Sequence, residues 1–152
     1  EADTEEQLRA QLKRLLESQK MTEQEAECIR IRDIRRFVES RLGQRMKKAA
    51  MKKHLYREQP FVIQRSASML DDGWKNETVL VQGIIDAYFM EEEEIVLVDY
   101  KTDRVKRGQE QKLIDLYHVQ LEDYARALER MTGKRVKEKI IYSFTLQKEI
   151  LL

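Results

Sequence analysis

Apolar residues recur at intervals of three and four over roughly the first fifty positions, which is the period of an α-helix. Thr4–Gln7 and Thr22–Glu25 each have the pattern of a helix N-terminus, in which a threonine and an acid or amide three positions later bond reciprocally. Gly43 is a candidate end for the second helix, although apolar residues continue to Ala50. The apolar positions of the two predicted helices are Leu8, Leu12, Leu15, Leu16, Ile31, Ile34, Phe37, Val38 and Leu42.

The pattern then changes to that of β-strands. Tyr56–Arg65, Val79–Phe89 and Ile95–Tyr100 are rich in β-branched and aromatic residues, and each predicts a strand. An Asp-Asp-Gly turn is expected at 71–73, between the first two strands. Because four consecutive acids cannot be buried, Glu91–Glu94 is predicted to be a tight exposed loop between the second and third strands.

A long helix and a last strand complete the predicted elements. The helix covers Gln111–Met131 and is expected to stop at Gly133, and Lys139–Leu146 is predicted to be the strand. The apolar side of this helix is expected to carry Leu113, Leu116, Tyr117, Leu121, Tyr124 and Leu128. The predicted order of elements is helices, three strands, a helix and a strand. This order predicts an α/β (α+β) fold with a mixed central sheet flanked by helices. We expect a single domain, with an N-terminal helical part at 1–55 and the sheet-centred core at 56–152.

Composition narrows the class of protein. The 152 residues are 41% apolar and 38% charged, which is typical of a globular chain and too apolar for disorder. No apolar run approaches the 18 residues of a membrane span, so we expect no membrane partner. Cys28 is the single cysteine, so an internal disulfide is excluded and a reducing cytoplasm is the expected location.

Charge is balanced overall but unevenly distributed. The 29 basic and 28 acidic residues exclude a histone-like polycation. Residues 1–27 carry eight acids and four bases, whereas Arg30–Arg57 carries eleven bases and two acids. Such a basic segment suits a phosphate backbone, and a solvated helix surface explains it equally well.

The second and third strands place three charged residues together if they pair as an antiparallel hairpin closed by Glu91–Glu94. Asp86 then faces Asp99, and Ile84 faces Lys101. One face of this hairpin would carry Ile84, Asp86, Tyr88, Ile95, Leu97, Asp99 and Lys101, and the other Ile85, Ala87, Phe89, Val96, Val98 and Tyr100. Both faces are largely apolar, which predicts an interior hairpin.

Two facing carboxylates repel each other and lose hydration, so they require positive charge nearby. Lys101 supplies one charge, and a divalent cation would supply the rest. Oxygen ligands without His or Cys favour Mg²⁺ or Mn²⁺, and a metal with an ammonium group suits hydrolysis of a phosphodiester. The alternative is a buried ion pair between Asp99 and Lys101, with Asp86 capping a turn.

Several segments together resemble a known nuclease family. They are Arg57–Phe61, Val81–Asp86, Asp99–Asp103 and Gln120–Leu128. They resemble the RecB family of nuclease domains in the PD-(D/E)xK superfamily, over about residues 22 to 144. Within it, they are most similar to the carboxy-terminal nuclease domains of the AddA (RexA) type, which occur in bacterial ATP-dependent helicase–nucleases. The resemblance implies a restriction-endonuclease-like fold.

The resemblance also implies residue roles. Asp86 and Asp99 would bind Mg²⁺ (or Mn²⁺) together with the backbone carbonyl of Tyr100, and Lys101 would be the catalytic lysine. Gln120 and Tyr124 match a third motif, on a helix beside the site, although core packing explains Tyr124 equally well. Glu58 matches an acid on the first strand, and its role is either in the site or in a structural pair with Arg57.

One family feature is missing from the sequence. Members carry a metal-binding His on an upstream helix, and neither His54 nor His118 matches it. The chain begins at Glu1 without Met, so we expect a fragment that lacks this helix and binds metal and cleaves weakly.

The function implied is a Mg²⁺-dependent DNA exonuclease domain of a helicase–nuclease in double-strand-break repair and recombination. Its partners would be single-stranded DNA from unwound ends, a second subunit of the AddB or RexB type, and a helicase region of the same polypeptide. No ATP-binding loop of the G-x-x-x-x-G-K-[ST] type occurs in the sequence. The alternatives are a non-catalytic DNA-binding or assembly module, or another RecB- or Cas4-like nuclease; a lone cysteine disfavours an iron–sulfur type such as Cas4.

Overall fold

The computed structural model describes residues 4–17, 23–66 and 78–152, with the backbone alone for residues 23–30 and Ser66. Its elements in chain order are α1 (Glu5–Glu17), α2 (Glu23–Glu39), α3 (Arg41–Met51), β1 (Leu55–Ser66), β2 (Thr78–Glu91), β3 (Glu94–Lys101), α4 (Glu110–Thr132), β4 (Val136–Ser143) and β5 (Lys148–Leu151). The second predicted helix N-terminus, which needs Thr22, and the predicted turn at 71–73 lie outside the described residues.

The five strands form one mixed sheet in the order β1-β2-β3-β4-β5. Neighbouring strands are antiparallel except β3 and β4, which are parallel and are joined by α4. The predicted α/β class with a mixed central sheet is confirmed. Pro60 lies in β1, an edge strand, where the missing N–H of proline costs no sheet hydrogen bond.

Strand β5 is absent from the sequence prediction, which has a single last strand from Lys139 to Leu146. That strand ends at Ser143, and the chain turns through Gln147 into β5. Gln147 adopts a left-handed conformation with φ of 52°, a conformation that glycine or asparagine usually supplies. The turn therefore carries no residue that signals it.

Helices cover both faces of the sheet. Helices α1–α3 pack on one face, and buried residues from that side include Leu12, Phe37, Leu42, Met46, Phe89, Val98, Tyr100 and Tyr142. Helix α4 packs on the other face, with Phe61, Ile85, Leu97, Leu113, Leu121, Tyr124, Leu128 and Ile141. Because the central strands are covered on both sides, β3 is buried over nearly its whole length, in line with its continuous apolar sequence.

The prediction that Gly43 ends the second helix is wrong. Helix α2 ends at Glu39, and Ser40 caps a new helix by accepting a hydrogen bond from the N–H of Gly43 at 3.1 Å. A Cβ on Gly43 would lie 2.1 Å from the carbonyl oxygen of Phe37. Glycine is therefore required because the two helices meet too closely for a side chain, and not because a helix stops.

Other helix predictions are confirmed, with two side chains placed differently. Thr4 and Gln7 bond reciprocally at the start of α1, and Gly133 ends α4 with φ of 71°. Leu116, predicted on the apolar side of α4, is 67% exposed, and Ile31 is also exposed. Both residues lie at the margin of an apolar stripe, where spacing alone does not separate core from solvent.

The β2–β3 hairpin has the predicted register, with Met90 facing Ile95. Its turn residues Glu92 and Glu93 are both left-handed, which matches the right-handed twist of the strands. Arg45 from α3 binds Glu91 of this hairpin at 2.7 Å and Glu138 of β4 at 2.5 Å, so it joins three elements. The hydrogen bond from Arg45 lowers the pKa of Glu91 to about 2.

None of the helices described is long and apolar enough to cross a membrane.

We expect Gly43→Ala to lower the free energy of unfolding by about 1–3 kcal/mol, the usual cost of overpacking. The new methyl group would overlap the Phe37 carbonyl, so α3 would have to move away from α2. Urea unfolding followed by circular dichroism measures the change. Lys48→Ala, at an exposed position of α3, is the matched control and should stay within about 0.5 kcal/mol of the parent. Equal stability of the Gly43 and Lys48 variants would contradict the close helix contact.

Candidate active site

Asp86 and Asp99 meet where β2 separates from β3. The pairing of the two strands ends at Ala87 and Val98, one residue before these acids. Beyond this point the Asp86 side chain replaces the backbone as partner, because its Oδ2 accepts a hydrogen bond from the N–H of Tyr100 at 2.9 Å. The backbone carbonyl of Asp86 accepts a hydrogen bond from the side-chain amide of Gln11 in α1, also at 2.9 Å. The hairpin therefore opens at its two carboxylates.

The predicted alternation of faces along β2 fails at this opening. Strict alternation places Ile85 beside Ala87 and Phe89, yet it packs on the α4 face, and Ile84 is 59% exposed. The partner strand is irregular at the same level: Glu58 has φ of 51°, and the position opposite Asp86 is skipped in the pairing of β1 with β2. A local change in backbone conformation shifts the face on which the next residues lie.

Asp99 and Lys101 form the second part of the cluster. Asp99 is only 3% exposed, and its Oδ2 lies 2.9 Å from Nζ of Lys101. The direction of this contact is not that of a hydrogen bond, and Oδ2 has no hydrogen-bond partner among the described residues. It is costly to bury a carboxylate oxygen that lies beside a positive charge but accepts no aligned hydrogen bond. Such an oxygen can accept a further ligand.

Burial and repulsion act on Asp86. Burial is the larger cause and the charge of Asp99 the second, and together they raise the pKa of Asp86 to about 7. The Tyr100 N–H and the Lys101 charge oppose this shift without cancelling it. A further positive charge beside Asp86 would therefore favour its ionised form.

Helix α4 contacts Lys101 on the side opposite Asp99. Gln120 accepts a hydrogen bond from Lys101 Nζ at 3.0 Å, which brings this predicted residue into the cluster. The ammonium also lies 3.9 Å from the ring centre of Tyr117, whose hydroxyl donates to Asp103 at 2.7 Å. The sequence pattern places Tyr117 only on the apolar side of the helix. Its spacing of three from Gln120 is the signal that puts both on one helix face.

Tyr124 lies at the edge of the cluster and also belongs to the core. Its ring packs edge-on against Phe61, with 4.9 Å between ring centres. Burial, and then the charges of Asp99 and Asp86, raise the pKa of Tyr124 to about 12. Core packing and a place beside the site therefore both remain supported for Tyr124. Its ring packs in the core, and the charges of the two carboxylates contribute to the raised pKa of its hydroxyl.

Two predicted residues direct their side chains away from the cluster. Glu58 is half-exposed and forms ion pairs with Arg14 at 2.6 Å and with Arg57 at 2.7 Å. The ring of Tyr100 packs against Phe37 on the opposite face of the sheet, so only the Tyr100 backbone can reach the carboxylates. These ion pairs support the structural alternative for Glu58.

No histidine joins the carboxylates among the described residues. His118 is exposed, and its Nδ1 faces the carbonyls of Ile114 and Asp115 at 3.2 Å. Within the described part of the chain, no three His, Cys, Asp or Glu side chains come together as a metal site. The described donor set is thus two carboxylates and neighbouring backbone.

Much of the basic segment is neutralised by local ion pairs. Arg35 pairs with Glu39 in α2, and Lys47 lies 3.5 Å from Glu5 of α1. With the Arg45 contacts, these pairs favour a solvated, ion-paired surface for part of the segment over a continuous anion-binding stripe.

Comparison with protein families matches residues 1–150 to the PD-(D/E)XK nuclease superfamily. Several bacteria have similar proteins, each named as the A subunit of an ATP-dependent helicase/nuclease. Identity is 39% with that of Clostridium novyi over 95% of this chain, 43% with that of Acetivibrio thermocellus over 91%, and 38% with that of Alkaliphilus oremlandii over 98%. The chain spans only 11–12% of the length of these relatives.

We expect Asp86→Asn to change how stability depends on pH in metal-free buffer. The folded pKa of Asp86 is raised, so the parent loses stability as the pH rises from about 4 to about 7. Each pKa unit corresponds to 1.36 kcal/mol, so the parent should lose about 2–4 kcal/mol over this window. Asp86→Asn removes this loss and should be the more stable protein at pH 8. Urea unfolding at several pH values measures both curves; parallel curves would contradict the buried, repelled carboxylate.

Proposed function

The chain belongs to the PD-(D/E)XK nuclease superfamily, and on that premise we propose that it is a metal-dependent deoxyribonuclease domain that acts as an exonuclease. The observation that carries the proposal is the cluster of Asp86, Asp99 and Lys101 at the opening of the β2–β3 hairpin. A buried acid and a partly buried one beside a single ammonium group are unfavourable for stability alone, and such sites are typical of catalysis.

The residues present fit a hard divalent cation. The buried Oδ2 of Asp99 lacks a hydrogen-bond partner among the described residues, and Asp86 resists ionisation without a further positive charge. We propose that these carboxylates and the carbonyl of Tyr100 hold Mg²⁺ or Mn²⁺. Magnesium commonly keeps several waters and binds through one or two carboxylates, so two suffice. When bound, the ion would polarise a phosphoryl oxygen and favour ionisation of water.

Lys101 is the proposed catalytic lysine. Its ammonium group is held beside Asp99 and donates to Gln120, so it carries a fixed positive charge at the edge of the pair. Such a charge stabilises a phosphodiester as negative charge grows on its oxygens during attack by water. The attack forms one P–O bond and breaks another, which leaves a phosphate monoester on one fragment and a hydroxyl on the other.

The remaining predicted residues have supporting roles in the proposal. Gln120 fixes the lysine through its amide oxygen. Tyr124 packs α4 against Phe61 of β1 at the edge of the site and stays protonated, because burial and the two acids raise its pKa to about 12. Glu58 pairs with Arg14 and thereby ties β1 to α1 beside the opening, at the level of Asp86.

The larger setting follows from the relatives, whose names describe one subunit of a helicase/nuclease. We propose that this domain works with a helicase region of the same polypeptide and with a second subunit of the AddB or RexB type. Its substrate would be single-stranded DNA released from unwound ends in the cytoplasm, during repair of double-strand breaks and recombination.

We expect Asp99→Asn to lower cleavage of end-labelled single-stranded DNA in Mg²⁺ or Mn²⁺ by at least about a hundredfold, since lost electrostatic stabilisation of this kind costs that much. Product lengths on a sequencing gel measure the rate and distinguish removal of end nucleotides from internal cuts. Asp115→Asn is the matched control, because the Asp115 side chain bonds Gln111 within α4 and lies outside the cluster.

Full activity of the Asp99 variant would contradict the assignment of the site. A parent chain that binds DNA without cleaving it would favour the assembly-module alternative. Loss of activity in the Asp115 control would show that the assay reports folding instead of chemistry.

We also expect Mn²⁺ to bind the parent chain, with binding weakened by both Asp86→Asn and Asp99→Asn. Each substitution removes one of the two carboxylates that can share an ion. Electron paramagnetic resonance of free Mn²⁺ measures the bound fraction without any need for activity. Unchanged binding in both variants would place the ion elsewhere.

A further inference from the structure

The ammonium of Lys101 is enclosed on three sides by groups of different kinds. Asp99 lies 2.9 Å from it and Gln120 accepts its hydrogen bond at 3.0 Å. The ring of Tyr117 closes the third side, with its centre 3.9 Å from Nζ. That distance is well inside the roughly 6 Å within which a cation is attracted by an aromatic face.

Tyr117 is itself fixed at its far end. Its hydroxyl donates to Asp103 Oδ2 at 2.7 Å, and this hydrogen bond is the main reason that the pKa of Tyr117 is raised to about 12. The backbone carbonyl of Asp103 accepts from the hydroxyl of Thr145, in the β4–β5 turn, at 2.7 Å. The ring is therefore held between α4 and the chain that follows β3, and it does not turn freely.

A ring restrains the lysine in a way that a second acid could not. Lysine has a flexible four-carbon stem, so a contact on a third side restrains its ammonium more than the contacts with Asp99 and Gln120 do alone. Another carboxylate would hold it but would add a third negative charge to a pair that already resists its second. An aromatic face attracts the cation, adds no net charge and leaves an N–H of Lys101 free to meet an anion.

We propose that Tyr117, anchored by Asp103, is a positioning residue that fixes the ammonium of Lys101 where it meets an anionic phosphodiester. This inference rests on the proposed nuclease function. Tyr117 acts through Lys101 and does not itself contact the reacting atoms. Its place in the helix, three residues before Gln120 and seven before Tyr124, puts all three on the helix face that borders the carboxylates.

Three substitutions separate this role from packing. Tyr117→Leu removes the aromatic face, Tyr117→Phe keeps the face without the hydroxyl, and Asp103→Asn weakens the anchor. We expect kcat to fall about tenfold for the Leu variant with KM for DNA within about twofold, because a cation–π contact in a partly desolvated site is worth about that factor. Phe, which keeps the face but loses the whole anchor, should keep kcat within about threefold of the parent, and Asp103→Asn, which only weakens the anchor, should lie between the parent and Phe. Leu116→Ala, on the exposed side of α4, should match the parent.

Nuclear magnetic resonance tests the geometry without activity, and a chain of 18.2 kDa is well suited to it. A ring beneath the ammonium should shift the ε-methylene protons of Lys101 upfield. We expect that shift in the parent and in Tyr117→Phe, and its loss in Tyr117→Leu, with the unfolding free energies of all variants measured alongside.

The outcomes distinguish this inference from the proposed function. If Asp99→Asn abolishes cleavage while Tyr117→Leu keeps the parent's kcat, the positioning role is overturned and the nuclease site stands. An unshifted Lys101 signal in the parent also overturns the positioning role, whatever the activity. If Asp99→Asn cleaves like the parent, the proposed function fails, and the Lys101 shift then reports only a structural contact.

Discussion

The hydrogen bond from the N–H of Tyr100 to the carboxylate of Asp86 is the interaction on which the site depends. It replaces the backbone bond that would have continued the β2–β3 ladder, so the two strands separate at this point. On the side of β2 that faces β1, the position opposite Asp86 is skipped in the strand pairing, and Gln11 from α1 binds the Asp86 carbonyl there. One side chain thus ends a ladder, opens a space between two central strands and holds its own carboxylate beside Asp99 at that space.

This arrangement is unfavourable in isolation, so the rest of the fold must offset it. Both faces of the sheet are covered by helices, and the opposite end of the same hairpin is held by Arg45, which binds Glu91 and Glu138 at once. An arginine that bridges three elements, with a partly buried side chain, stabilises more than an exposed pair does. The open part of the hairpin at Asp86 is therefore continuous with a well-anchored turn at Glu91, and the opening stays local.

The sheet, the hairpin register and the meeting of the two acids are predictable from the sequence, because they follow from period, charge and turn length. Three features are not. The spacing of apolar residues wrongly predicts a helix end at Gly43. Spacing does not show that two helices meet closely at the Cα of this residue. Strand β5 escapes prediction because a glutamine makes its turn. The predicted face of Ile85 is wrong because strict alternation assumes a regular strand, and β1 and β2 are irregular at one level. In each case a close contact or a local irregularity of the backbone overrides a correct local rule.

The same limit explains why the sequence pattern shows Tyr117 only as an apolar helix residue. Its ring does lie on the inner side of α4, so the periodicity is correct as far as it goes. What periodicity cannot show is that β3 ends at Lys101 directly beneath that turn of the helix, since this depends on how the parallel β3–α4–β4 unit packs. The chain following β3 must pass back under α4 to begin it, and this path brings Asp103 to the hydroxyl of Tyr117. A crossover that is required to make a parallel strand pair thereby also encloses the lysine, so fold and site are built from one connection.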